Sequence, residues 1–421
     1  MITHSEIAPG IRLSCIQDRR FKHSALSIQY IRPMAREEAA MNALIPSVLL
    51  RGCKSAPDLR RITQRLDELY GAAVSPISRR AGDWQTTGLY LSLMDDRFAP
   101  EGAALTEQAL DFVRELLFAY PERDGGFLPD FAEGEKINQI YAIEAEFNDK
   151  RAYCAQQLLQ SMCREDPFGV PRMGRKEDVE AITPQALLAH YRRLRRESPV
   201  KLLYVGSAEP ERMAGLVKKL FAGEVRTPLP LPAQGGLRLS QSSHGCECME
   251  LTQGKLCMGF VTPITAKDPL FPAMQLLCTV FGGDVTSKLF QNIREKQSLC
   301  YSIGAGYYSA KGIVLVSAGI DFDKEAHVRE EILRQLEACR RGEITQAELT
   351  AARASLVSAL ESVPDSPGAL ESYYSSMLLG GSGLDPQAHR EALEAVTMDD
   401  LTRAAESLQP HSTYFLKGAG Q

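Results

Sequence analysis

The chain repeats itself at a spacing of 230 residues, and this narrows the possible folds more than any other feature of the sequence. IRPMAREE from Ile31 lies over VTPITAKD from Val261, RGCKSAP from Arg51 over FGGDVTS from Phe281, and LDELYGA from Leu66 over KQSLCYS from Lys296. A period this long is far outside the range of solenoid repeats and implies two duplicated domains. Residues 23–94 read strand, helix, helix, strand, strand: HSALSIQYI alternates, EEAAMNALIPSVLLRG and PDLRRITQRLDELYG have helical spacing, and AVSPISRR and TGLYLSLM return to strand character. Residues 254–320 repeat that order with GKLCMGFVT, DPLFPAMQLLCTVFGG, TSKLFQNIREKQSL, YSIGAGYYS and GIVLVSAGI. Long helices follow in each copy (LTEQALDFVRELLFAY and KEAHVREEILRQLEACRR), and each copy closes on a strand, VKLLYVGS or STYFLKGAG.

These patterns predict an α+β chain of two homologous domains, each with an antiparallel-rich sheet and helices packed on one face. Asp323 stands where an N-cap belongs, ahead of a helix whose Val328, Ile332, Leu336 and Cys339 share one face. Between the copies, EVRTPLPLPAQGGLRLSQSSHG is rich in Pro, Gly and Ser and has little periodicity. The expected division is 1–223 for the first domain, 224–245 for a linker and 246–421 for the second.

Composition removes several classes of function. A formal net charge of -5, with no run of Lys and Arg, gives no electrostatic footprint for nucleic acid. No apolar segment reaches the roughly 18 residues of a membrane span. The opening MITHSEIAPGIRLSCIQDRRF has charges interrupting each apolar run and reads as neither signal peptide nor anchor. The ten Cys are scattered and mostly sit in apolar segments, the usage of reduced thiols in a cytoplasmic protein.

Two segments carry a resemblance. FGGDVTSKLFQNIREKQSLCYSIGAGYYSAKG, with the pattern GG-x5-LF-x2-IRE-x5-Y, and GEKINQIYAIEAEFNDKRAYCAQQLLQSMCREDPFG resemble the M16 zinc peptidases, the insulinase or pitrilysin family that includes the mitochondrial processing peptidases. The resemblance covers nearly the full chain and implies domains of the LuxS/MPP-like type. Such proteins carry H-x-x-E-H on a helix of the first half, with a further Glu downstream; two imidazoles and that Glu hold zinc while the motif Glu takes a proton from water. When EEAAMNALIPSVLLRG is aligned through its terminal RG, the motif falls on Ala43, Pro46 and Ser47. Ala43 has no donor atom, Ser47 only a neutral hydroxyl, and Pro46 neither carboxylate nor N–H. The seven His are nowhere spaced as H-x-x-E-H or H-E-x-x-H, so no metal is expected in this chain. The third-ligand position falls near Tyr141 to Glu144.

The resemblance also implies that Arg294 and Tyr301 bind the substrate backbone near the scissile bond of a zinc-bearing half. A guanidinium offers several fixed donors to peptide carbonyls, and a phenol can donate to the oxyanion that forms on hydrolysis. The repeat assigns the pair to one copy only, since the equivalent positions in the first are Gln64 and Gly71. The expectation is a non-catalytic, substrate-binding subunit of a heterodimeric metallopeptidase, inactive alone. Zinc and general base would come from an H-x-x-E-H-bearing partner, and the substrate would be a peptide. The alternative is a non-enzymatic structural or peptide-binding dimer, with self as partner.

Other candidates have plainer readings. Gly282 and Gly283 suit a helix-to-helix turn, through φ > 0 or close backbone approach, and would lie near the site. Gly380, Gly381 and Gly383 read as a loop. HGCEC, His244 to Cys248, could hold a soft metal only with a ligand from elsewhere, and its spacing is not that of a zinc module. Cys53 and Cys300 read as packed thiols, and Glu144, Glu146, Asn148, Asp149 and Lys150 as a solvated helix face.

Overall fold

The computed structural model describes residues 2–418. Its strands are β1 (Ile2–Ala8), β2 (Ile11–Gln17), β3 (His23–Pro33), β4 (Ala73–Ala81), β5 (Trp84–Met94), a small hairpin of β6 (Glu122–Arg123) and β7 (Gly126–Phe127), β8 (Val200–Gly206), β9 (His244–Met249), β10 (Gly254–Val261), β11 (Cys300–Tyr308), β12 (Ile313–Ile320) and β13 (Gln409–Gly418). One sheet has the order β1-β2-β8-β3-β5-β4 and another β11-β12-β10-β13-β9. Read from β4 and from β11, the two orders coincide, with β1 as an addition to the first. The one parallel pair also falls at the same place in each, β2 with β8 and β9 with β13. The duplication seen as a sequence offset is a duplicated topology.

The helices expected in the first copy form at Arg36–Leu49, Leu59–Glu68 and Leu105–Phe118. The second begins with an α-helix at Phe271–Cys278, but here the winding changes. Thr279–Gly283 and Phe290–Lys296 are π-helical, a form that composition does not distinguish from α and that often marks a functional region. Asp323 does not cap the next helix. Glu325–Arg340 starts from Lys324 without a side-chain cap, because a 3₁₀ turn at Phe322–Lys324 already pairs the Lys324 N–H with the Asp321 carbonyl at 3.2 Å. Its apolar face is as read, with Val328, Ile332, Leu336 and Cys339 buried.

The compact units are not the two halves of the chain. The first runs to Glu144 and adds Val170–Gln234 and Pro364–Ser375; the second takes Ala145–Gly169, Gly235–Val363 and the chain from Ser376. The irregular stretch expected as a linker is thus divided at Gln234. Each sequence half also lends a segment to the other half's sheet.

In the first unit, strand alternation sends Leu26, Ile28, Tyr30, Leu89, Leu91, Leu202 and Tyr204 to a face covered by helices, forming its main core. On the opposite face, Gln29 donates to Ser375 Oγ at 3.1 Å, and Arg79 forms a two-pronged pair with the buried carboxylate of Glu371 at 3.0 Å on both oxygens. That places the lent segment Pro364–Ser375 against β3 and β4. In the second unit the lent helix is Lys150–Met162. Its Cys154, Leu158 and Met162 pack against Cys257, Ile313, Leu315 and Leu416 of the sheet. Gly259 makes the approach possible, since a Cβ there would lie 2.2 Å from Met162 Sδ. To the expected layer of helices on one face, each sheet thus adds cover on the other.

Candidate functional site

The helix Arg36–Leu49 carries Ala43, Pro46 and Ser47 in the first unit; Pro46 is buried inside it and the other two are half-buried. Proline removes the N–H that would normally bond the Asn42 carbonyl one turn earlier. Thr87 of β5 replaces it: its hydroxyl donates to Asn42 O at 2.5 Å, which lets the helix run on unbroken. Around Asn42 lies a buried polar chain. Its amide donates to Gln85 Oε1 at 2.9 Å, while its Oδ1 meets His190 Nε2 at 2.7 Å, and His190 Nδ1 faces Arg193 Nη2 at 3.0 Å. Burial pushes the His190 pKa down to about 4, so the ring is neutral, with Nε2–H donating and Nδ1 accepting.

These residues do not fit a zinc ion. At the motif positions no side chain is a carboxylate, imidazole or thiolate, and no group of three or more His, Cys, Asp or Glu among the described residues could hold a metal. At the third-ligand region Tyr141 is exposed and Glu144 pairs with Lys176 at 2.7 Å. Asp149 caps the helix Lys150–Met162, accepting from the N–H groups of Arg151 and Ala152 at 3.1 Å, and Lys150 sits over the Phe147 ring at 3.5 Å.

Arg294 and Tyr301 are brought together in the second unit. The π-helix Phe290–Lys296 ends on Ser298, a left-handed residue at φ 51. Leu299 N–H bonds back to Ile293 O at 3.0 Å, and Ser298 N–H to Arg294 O at 3.1 Å, closing the helix like a left-handed C-cap. Two residues later the chain enters β11, where the pairing with β12 slips between Cys300 and Ser302. Tyr301 is the extra residue of this bulge, which turns its side chain outward to 59% exposure. Its carbonyl accepts from Arg294 Nε at 3.0 Å, and its hydroxyl donates to Asp321 Oδ1 at 2.8 Å. The guanidinium lies over the Phe290 ring at 4.5 Å and reaches Glu295 at 3.1 Å.

With Ser298, Leu299, Cys300 and Lys324, these groups line an open depression of about 360 Å³. Lys324 pairs with Asp321 at 2.7 Å. Hydrogen bonds from Lys324 and then from Tyr301 hold the Asp321 carboxyl below its usual range, and the same carboxylate raises the Tyr301 phenol. The proton therefore stays on Tyr301. Sequence reading missed Asp321 and Lys324: they follow β12 as ordinary surface charges, and only the bulge reveals their partner.

Of the two uses expected for Gly282 and Gly283, close approach is the one seen, at Gly282. Neither takes a positive φ; Gly282 sits at φ -158 inside the first π-helix. Close approach is what it provides, because a Cβ there would lie 2.8 Å from Ala305 Cβ and 3.0 Å from Ala305 N on β11. Gly380 ends the helix Pro367–Gly380, and Gly381 and Gly383 follow with left-handed φ of 83 and 66.

The sulfur candidates are placed as well. Burial pushes the Cys300 thiol up to about 11 and raises that of Cys53, so both stay protonated at neutral pH. In β9, His244, Cys246 and Cys248 alternate onto one exposed face, and His244 is engaged by Thr413 Oγ1 at 2.6 Å and Glu325 at 3.5 Å.

Sequence and fold have known counterparts. Residues 181–356 match the family profile of the Peptidase M16 inactive domain. A Bacillus subtilis protein called "Probable inactive metalloprotease YmfF" is 28% identical over 409 residues, 97% of this chain and 96% of that one. A crystal structure of a conserved protein from Enterococcus faecalis superimposes with a TM-score of 0.91 at 24% identity, covering 100% of this chain and 99% of that one. The peptidase M16 inactive domain from Pseudomonas fluorescens gives 0.82 at 15% identity, over 99% and 98% of the two chains. The fold is that of these M16-like proteins. The chain is similar to M16-type proteins along nearly its whole length, and it lacks H-x-x-E-H.

Among the described residues, no helix is long and apolar enough to cross a membrane.

Proposed function

We propose that this chain is the non-catalytic, substrate-binding subunit of a heterodimeric M16-type peptidase of the cytoplasm. A partner carrying H-x-x-E-H supplies zinc and the general base, and this chain supplies Arg294 and Tyr301. The observation that carries the reading is the bulge at Tyr301, which presents an exposed phenol and a guanidinium at one depression. A purely structural chain has no chemical need for that arrangement.

The peptide adds as a strand at a sheet edge, taking affinity from main-chain hydrogen bonds. In support, β11 has β12 as its one strand neighbour, and a Cβ at Gly306 would meet nothing within 4 Å. Before the Tyr301 hydroxyl can donate to a peptide oxygen it must leave Asp321. Arg294 keeps N–H groups for peptide carbonyls beyond the one given to Tyr301. The test is peptide cleavage by this chain alone, by an H-x-x-E-H-bearing M16 chain alone, and by the two with zinc. Cleavage only by the mixture, weakened in Arg294→Ala, supports the reading; a stable complex that cleaves nothing favours a non-enzymatic dimer.

A further inference from the structure

Away from these residues, the first unit has a second depression, of about 460 Å³, lined by His4, Glu6, Gly10, Arg12, Pro199 and Lys201 among others. We propose that it binds an oxyanion, a phosphate or a carboxylate, between Arg12 and Lys201.

The sheet register brings the cations together. Arg12 on β2 stands directly opposite Lys201 on β8, and Glu6 and His4 on β1 stand opposite Arg12 and Ser14. Strand alternation puts all of them on one face. Like charges directly opposed across a ladder are destabilising, so such a pair is normally offset by a carboxylate. None is in place. Among the described residues neither Arg12 nor Lys201 makes an ion pair, although Glu6 is the register neighbour of Arg12.

Lys201 is held back from water, and its recorded aromatic contact is the Trp84 ring at 5.9 Å. Burial, and then Arg12, lower its pKa, a penalty that an anion between the two would reverse. His4 adds a neutral donor. Its Nδ1 and the Ser14 hydroxyl are 2.8 Å apart, and burial, then Arg12 and Lys201, lower its pKa.

Trp84 is the single tryptophan, so the site carries its own reporter. The experiment titrates the full chain with inorganic phosphate at constant ionic strength, following Trp84 emission, with calorimetry as a second readout. Saturable binding that weakens roughly tenfold in Arg12→Gln and in Lys201→Met is expected, the loss of one charged hydrogen bond each. Parallel titrations with acetate, and with a peptide bearing a free or an amidated C-terminus, separate the sources. Binding of phosphate alone assigns a phosphoryl group; binding of acetate and of the free but not the amidated peptide assigns a chain terminus. No saturable heat or emission change with phosphate or acetate overturns the proposal, as does binding that survives unchanged in the double variant.

Discussion

Arg294 donates its Nε–H to the main-chain carbonyl of Tyr301 across 3.0 Å, so the guanidinium is positioned by the backbone of the bulge and not by the tyrosine ring. Tyr301→Phe therefore leaves Arg294 in place, and the two residues can be tested separately. In the proposed complex, Tyr301→Phe lowers kcat by about 10²-fold with little change in KM, as loss of an oxyanion donor does. Arg294→Ala raises KM by roughly tenfold, since its contacts are to the bound chain. Steady-state cleavage of one peptide by the mixed subunits measures both; unchanged kcat in Tyr301→Phe together with unchanged KM in Arg294→Ala would remove the pair from the site.

Gly282 and Gly306 make a matched pair. Gly282→Ala drives a Cβ to 2.8 Å from Ala305 and pushes β11 away from the π-helix, while Gly306→Ala meets nothing. Urea unfolding is expected to show Gly282→Ala less stable by about 1–3 kcal/mol, as overpacking costs. Gly306→Ala changes stability by well under that. Equal effects would mean that the approach of helix and strand is not set at Gly282.

Thr87→Val leaves the Asn42 carbonyl buried without a donor, a loss of about 1–3 kcal/mol. In a Pro46→Ala background the helix regains its own N–H at that carbonyl, and the same Thr87→Val change should cost clearly less. A double-mutant cycle by chemical denaturation reads the coupling; strict additivity would separate the hydroxyl from the proline.

His190 predicts a pH dependence. In the unfolded chain it takes up a proton below about 6.5, whereas in the folded protein it stays neutral down to about 4. The unfolded state thus binds more protons in that window, and stability falls as pH drops through it, by a total on the order of 3 kcal/mol. Glu38, whose pKa is held below the usual value by Arg32 against the effect of burial, adds its loss only below the ordinary glutamate range. Unfolding at pH 7.5 and pH 5 should show the slope in the parent and not in His190→Gln. A flat parent profile would contradict the neutral buried ring.

Neither sequence half should fold as a complete unit. A fragment ending at Gln234 lacks the Glu371 carboxylate for Arg79 and the Ser375 hydroxyl for Gln29. It should aggregate or unfold at far lower denaturant than the intact chain and recover when residues 235–421 are supplied. An independently stable fragment with the parent's midpoint would refute this.

Much of the fold was legible because it rests on local chemistry. Alternation found β3, β5, β10 and β12, and the 230-residue offset matched the copies before any sheet order was known. What stayed hidden depends on distant partners. The apolar face of Lys150–Met162 says that the helix is buried, not against which sheet. The absence of H-x-x-E-H could be read directly, yet the rescue of Pro46 by Thr87 requires two elements to be in place. Arg294 and Tyr301 could be named from the resemblance, but the bulge that joins them is a property of register, and Asp321 is recognised only through it.

The lent segments also bear on ancestry. A gene encoding one copy would have made a chain with both a sheet face to cover and a helix of the kind that covers it. Two such chains, each placing that helix on the other's sheet, would have satisfied both, which is domain swapping in a homodimer. Fusion of the duplicated genes through the irregular stretch at 224–245 then fixes the stoichiometry and frees each copy to diverge. One could keep an Arg and a Tyr at a sheet edge while the other let three motif positions drift to Ala, Pro and Ser.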